Sequence, residues 1–336
     1  MIYYYLIYII FSVLAAIYLK KKKYLSNFSG DNHQLFSNKK NIPLVGGILL
    51  FIPIILLNFE NLFFIIAIIT ITLIGLLSDR KILTSPQKRF LFQLAFVVIS
   101  VITLDLEIIS SRIVFFDNLL NFNIFNIFFT SFCLLILING SNFIDGLNGL
   151  LLIYMTLLLF VISKLELIPQ IIIDKDLFIN FIFFMIILII LNLFNILMLG
   201  DTGAYLIGFF IGYLIIICHK FNPNISPYFF ITLVWYPCYE NLFSIIRKLK
   251  SKFSPLAPDS NHLHQLVYRL IKKRFFKNKL FANNISCVLI NSLNLLIVSI
   301  SLNDPYNTVY QIKLIAASTI LYTFLFMFLN SKINKP

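Results

Sequence analysis

Apolar runs near bilayer length, separated by short polar breaks, leave this chain few ways to fold. A helix needs about 20 apolar residues to cross a membrane. Eleven runs reach or approach that length, centred on 2–19, 43–58, 61–78, 90–104, 122–138, 149–163, 177–194, 203–218, 228–245, 282–302 and 312–330. Composition agrees: 60% of the 336 residues are hydrophobic and 12% charged, against about 25% charged in soluble domains. A soluble fold this apolar has too little polar surface to offer water, so lipid must be most of its solvent. The expectation is an all-α integral membrane protein of about 11 transmembrane helices. It forms a single polytopic domain over 1–336, with no soluble domain and no internal repeat.

Charge sets the orientation. A net charge of +13 suits nucleic acid at first sight. The Lys and Arg sit in short loops between apolar runs, however, which is how membrane topology is written, and nucleic-acid binding is set aside. An external N-terminus makes 20–42, 79–89, 139–148, 195–202, 246–281 and 331–336 the internal segments. They hold all but five of the 27 Lys and Arg, the five being Arg112, Lys164, Lys175, Lys220 and Lys313. That bias is a positive-inside signal. It makes the N-terminus periplasmic and the C-terminus cytoplasmic, and it favours an odd number of spans. The first apolar run precedes its lysines, Lys20 to Lys23, the reverse of a signal peptide. Cys133, Cys218, Cys238 and Cys287 lie in or at the ends of apolar runs. They show no metal-ligand spacing and read as small buried hydrophobes.

Polar residues that interrupt the apolar text carry the chemistry. Every internal segment but the C-terminal tail holds an Asp: Asp31, Asp79, Asp145, Asp201 and Asp259. The segments around Asp145 and Asp201 contain no Lys or Arg. An unpaired carboxylate at membrane depth costs about 2.5 kcal/mol or more, and a divalent cation would relieve it. Asp79, Asp145 and Asp201 together could form an oxygen-ligand site of the kind Mg²⁺ takes. Simpler readings stand beside this one. Asp79 precedes Arg80 and Lys81 and could pair with them. Asp145 before Gly146 could cap or turn, and Asp201 could cap the span it begins. Asn139, Asn142 and Asp145 repeat an i, i+3 step and share a helical face, suited to a sugar, a base, a hydrated metal or interhelical glue. Gly200 and Gly203 would let backbone approach a phosphate or metal. His262 and His264 share a face only if the backbone there is extended. The basic segment around them attracts either lipid headgroups or a phosphorylated substrate.

Five motifs in order resemble one family, the polyprenyl-phosphate N-acetylhexosamine-1-phosphate transferases of glycosyltransferase family 4. They are Pro43-Leu44-Val45-Gly46-Gly47; Ser78-Asp79-Arg80 with the basic stretch ending in Lys88 and Arg89; 139–149, an Asn-x-x-Asn-Phe-x-Asp-Gly-x-x-Gly pattern; Gly200-Asp201-Thr202-Gly203; and Pro258-Asp259-Ser260-Asn261-His262-Leu263-His264. The resemblance implies transfer of a HexNAc-1-phosphate, GlcNAc-1-phosphate above all, from a UDP-sugar to undecaprenyl phosphate. UMP leaves, and a lipid-linked envelope glycan begins. It implies Mg²⁺, or Mn²⁺ in its place, a multi-pass protein of the bacterial inner membrane with a cytoplasmic active site, and a homodimer. Carried over, Asp201 and Asn142 resemble metal-site residues. Asp79, Asp145, His262 and His264 resemble catalytic ones. Asn139, Asn142, Lys88, Arg89 and Glu240 resemble substrate-binding ones. Ser78 departs from the family, which carries Asp there, and His-Leu-His resembles the O-antigen and wall-polysaccharide initiators. Two other readings compete. A transporter would hold its site near the midplane, whereas these motifs share one face. A decayed family member would explain Ser78.

Overall fold

The computed structural model describes residues 2–22, 24–25, 42–57, 61–251 and 261–333. Asp31, Pro258 and Asp259 lie outside the described residues. In chain order the helices are α1 (Ile2–Lys22), α2 (Gly46–Ile55), α3 (Leu62–Asp79), α4 (Pro86–Thr103), α5 (Val114–Leu120), α6 (Asn123–Ile144), α7 (Leu150–Lys164), α8 (Lys175–Leu193), α9 (Gly200–Phe221), α10 (Pro227–Leu233), α11 (Trp235–Lys250), α12 (Leu263–Arg274), α13 (Lys279–Ser301) and α14 (Thr308–Ile333).

The exterior is apolar, unlike that of a soluble fold, and polar groups stand within a mostly apolar interior. Tyr3, Leu62, Ile99, Phe128, Leu296 and Phe324 are exposed, while Gln93, Thr130, Asn192, Asn294 and Gln311 are buried. Contiguous apolar surface on this scale aggregates in water, and in lipid it costs nothing. The buried polar groups join helices: Gln311 of α14 accepts from Thr232 at 3.1 Å and from Ser301 at 2.8 Å. Among the described residues seven helices are long and apolar enough to cross a membrane, or eight if α10 and α11 count as one. The chain is an all-α membrane protein. Of the expected runs, 43–58 folds as the short α2 and 149–163 as the short α7.

Helix α9 forms the core. It is buried along nearly its whole length and packs on α2, α3 and α6. Small residues bring the backbones close, the principal way helices associate where no hydrophobic drive exists between them. Gly75 of α3 lies against Thr202, and Gly47 of α2 against Gly203. On the other side, a Cβ on Gly208 would stand 3.0 Å from the Ile138 Cα of α6.

The run expected to be one helix over 228–245 is broken. Helices α10 and α11 meet at Val234 with a 76° bend. Pro237 has no N–H and cannot bond the carbonyl four residues back, which belongs to Leu233. That carbonyl instead accepts from the Tyr154 hydroxyl at 2.6 Å. The bend turns α11 away from the α10 axis and carries Glu240 and Lys248 toward the end of the bundle where α3 and α6 finish and α9 starts. Segment 246–281, expected as a loop, contains the amphipathic α12. At the opposite end Arg112 donates to the carbonyls of Tyr306, Pro223 and Asn224 and so ties three connections together.

Candidate active site

Helix α9 opens at Gly200, whose φ of +74° places it in the left-handed region, open to glycine at little cost. The first turn of any helix leaves N–H groups unpaired. Here the acceptor comes from another helix. Asp79, the last residue of α3, takes the N–H of Asp201 at 2.9 Å, the N–H of Thr202 at 3.0 Å and the Thr202 hydroxyl at 2.5 Å. Both Asp79 oxygens are therefore committed to α9. This bears on two of the simpler readings. Arg80, one of the two cations that could pair with Asp79, lies over the Tyr24 ring at 5.0 Å. Asp201 does not cap its own helix; Asp79 does. Gly200 gives room to this carboxylate, not to a phosphate: a Cβ there would stand 3.0 Å from Asp79 Oδ1.

Asp201 is thereby turned outward. Its Oδ2 accepts from Ser78 at 2.5 Å, from Arg89 Nη1 at 3.1 Å and from Tyr205 at 3.3 Å. Arg89 also reaches the Ser78 hydroxyl at 3.2 Å. Ser78 thus acts as a donor to Asp201, and Arg89 pairs with the same carboxylate oxygen. Arg89 sits in the first turn of α4, which Ser85 and Pro86 begin. Lys88, one residue earlier, is exposed.

Asp145 stands at the C-cap of α6 and its backbone N–H returns to the Ser141 carbonyl at 3.2 Å. A carboxylate is unfavourable at that end of a helix dipole, so helix capping does not account for it. Among the described residues nothing donates to its side chain. Burial, with the charges of Asp201 and Asp79 added, pushes its carboxyl well above the usual carboxylate range. Asn142 lies one turn earlier on the same face. Asn139 returns its amide to the Leu135 carbonyl at 2.9 Å. The loop after Asp145 is held by asparagines: Asn148 N–H donates to Asn283 at 2.9 Å, its amide to Asn195 at 2.6 Å, and Gly149 N–H to Asn192 at 2.5 Å.

The histidine motif closes the other wall. His262 precedes α12 with extended backbone (φ −93°, ψ 153°), the condition under which both histidines share a face. Their rings stack at 5.6 Å with planes 8° apart. His264 is fully buried against Gly146, next to Asp145, and burial pulls its ring down to about 3, so it is neutral. Glu240 of α11 lies behind His262, 2.9 Å from Nδ1. Lys248, buried, stands over the Phe143 ring at 5.5 Å. Tyr205, Thr202 and Phe143 were not read from the sequence as site residues, because an aromatic or a threonine inside an apolar helix resembles ordinary core.

Among the described residues no three His, Cys, Asp or Glu are grouped to hold a metal ion. The expected trio of Asp79, Asp145 and Asp201 therefore does not form as a ligand set, because Asp79 is spent on α9. What remains is Asp145, without a donor, and Oδ1 of Asp201, which takes no hydrogen bond among the described residues. Two carboxylates with Asn142 nearby fit a small hard cation that keeps most of its water.

Residues 61–219 match the model of glycosyl transferase family 4, a segment running from α3 to α9. The chain is also 27% identical over 266 residues to the undecaprenyl-phosphate alpha-N-acetylglucosaminyl 1-phosphate transferase of Thermotoga maritima, covering 78% of each chain. The matched segment contains Asp79, Arg89, Asp145 and Asp201 in the arrangement just described, so the similarity to glycosyl transferase family 4 falls on the residues that build this site.

Proposed function

We propose that the protein transfers N-acetylglucosamine 1-phosphate, or a close HexNAc 1-phosphate, from its UDP-sugar to undecaprenyl phosphate. An oxygen of the lipid phosphate attacks the β-phosphorus, the bond to the UMP oxygen breaks, and the lipid diphosphate-sugar stays in the membrane. The observation that carries the reading is the meeting of Asp145, Asp201 and Arg89 at one end of the bundle, within a family segment and beside the histidines.

Two anions must approach each other, and the lipid phosphate is already a nucleophile near neutral pH, so positioning and charge balance dominate. Asp201 and Asp145, with Asn142, are the residues to hold Mg²⁺, which when bound screens the phosphates and the leaving group. Arg89 stands beside Asp201 with its guanidinium partly exposed, placed to receive a phosphate oxygen. Asp79 acts through α9, keeping Asp201 turned outward. His262 stands on the side on which the nucleotide-sugar would lie, with His264 packed behind it.

We infer a cytoplasmic active site in the inner membrane from the Lys and Arg bias. Eleven crossings require α2, α4 and α7 to count beside the eight. At 10 residues α2 covers about 15 Å as helix, so this crossing needs the residues that flank it in 43–58 as well.

The test is UMP release by purified protein given undecaprenyl phosphate, Mg²⁺ and a panel of UDP-HexNAc donors. Release is expected with at least one donor and should drop to background in Asp201→Ala. No release with any donor, or undiminished release in that variant, would overturn the proposal.

A further inference from the structure

A fully buried carboxylate in a membrane helix needs a partner. Glu240 has His262: Oε1 lies 2.9 Å from Nδ1, and the side chains are 1% and 5% exposed. The ring is fixed from three elements. Glu240 holds it from α11 and His264 stacks on it from α12. Phe143 of α6, two residues before Asp145, lies 5.1 Å away. Tyr236 and Tyr322 also face the carboxylate.

We propose that Glu240 is a positioning residue. It keeps a proton on Nδ1 of His262 and leaves Nε2 as the one nitrogen with which that ring meets the nucleotide-sugar. The proposal rests on the transferase reading above. An ionised carboxylate can only accept, so the ring nitrogen facing it must carry hydrogen. Nε2 is then the nitrogen left to meet the substrate. Nδ1 faces Glu240, and Gln265 closes the turn in a capping box with His262. His264 cannot take this place, because both its ring nitrogens are enclosed without a partner. Glu240, nearly sealed from solvent, works through His262 and not by touching substrate.

Glu240→Gln keeps the shape but can turn either its oxygen or its amide to the ring, so the proton is no longer assigned. In the full-length protein kcat/KM for the nucleotide-sugar should fall about tenfold or more, with little change in thermal midpoint. Glu240→Asp should recover part of the loss. A merely structural ion pair would lower the midpoint and spare kcat/KM in the folded fraction. The second measurement uses the wild type: ¹⁵N NMR of histidine-labelled protein, with His262→Asn assigning one of the four histidines. Hydrogen on Nδ1 is expected. Hydrogen on Nε2 with a bare Nδ1, or full kcat/KM in Glu240→Gln, would overturn the proposal. Should Glu240→Gln fail to fold, Glu240→Asp and the wild-type spectrum decide. If the wild type releases no UMP with any donor, the transferase reading fails first, and the spectrum still reports on the pair.

Discussion

Asp79 shows how a residue at a reaction site can work as architecture. Its carboxylate takes three hydrogen bonds from the start of α9, where the helix dipole favours negative charge. Removing a buried acceptor leaves its donors unpaired at about 1–3 kcal/mol. Asp79→Ala should therefore lower the thermal midpoint in detergent as well as UMP release, and Asp79→Asn should retain part of both. An unchanged midpoint would mean the capping bonds carry no weight. Ser78 poses the complementary question. It donates to Asp201 and shares Arg89 with it, so the site is balanced with one carboxylate fewer. Ser78→Asp adds negative charge beside Asp201 and should lower the Mg²⁺ concentration needed for half-maximal activity while leaving the maximal rate within about tenfold. A large gain from a near-zero wild-type rate would instead mark a decayed site.

Elements here are positioned by backbone contacts that side-chain patterns only hint at. The bend between α10 and α11 depends on Pro237 removing a donor and Tyr154 supplying another to the Leu233 carbonyl. Tyr154→Phe should cost about 1–3 kcal/mol by leaving that carbonyl unpaired. Pro237→Ala restores an N–H, so the double variant should lose less than Tyr154→Phe alone, a coupling that equilibrium unfolding of all four proteins would measure. Strictly additive losses would show that the hydroxyl and the proline act independently. The bend matters because Glu240 and Lys248 follow it, and both reach the site from the turned helix.

The whole molecule is a helical bundle with an apolar exterior, and several of its scattered cations are tied to nearby acceptors. Lys220 pairs with Asp105 at 3.2 Å and Glu107 at 2.8 Å, Lys175 with Glu166 at 2.5 Å, and Arg112 with loop carbonyls. Three of the five Lys and Arg that fall outside the segments expected to be internal are thus tied to nearby acceptors. Orientation is tested with single cysteines at two exposed positions, Phe275 (68%) and Ile171 (92%). In intact cells a membrane-impermeant maleimide should label Ile171→Cys and spare Phe275→Cys, and the reverse pattern would invert the topology. The sequence by itself determined the solvent, the helical class, the family resemblance and the set of acidic motifs. Run length, charge bias and motif spacing are properties of the chain alone, and bilayer physics acts on them directly. Only the tertiary structure decided which carboxylates remain open. Asp79 and Asp201 read alike as aspartates at helix ends, but packing through Gly75 brings α3 against the start of α9, so one is consumed as a cap and the other is turned outward. It likewise decided that the span over 228–245 bends and that Glu240 faces His262, because the hydroxyl that bonds the freed carbonyl lies on another helix, and no local pattern records a contact between distant residues.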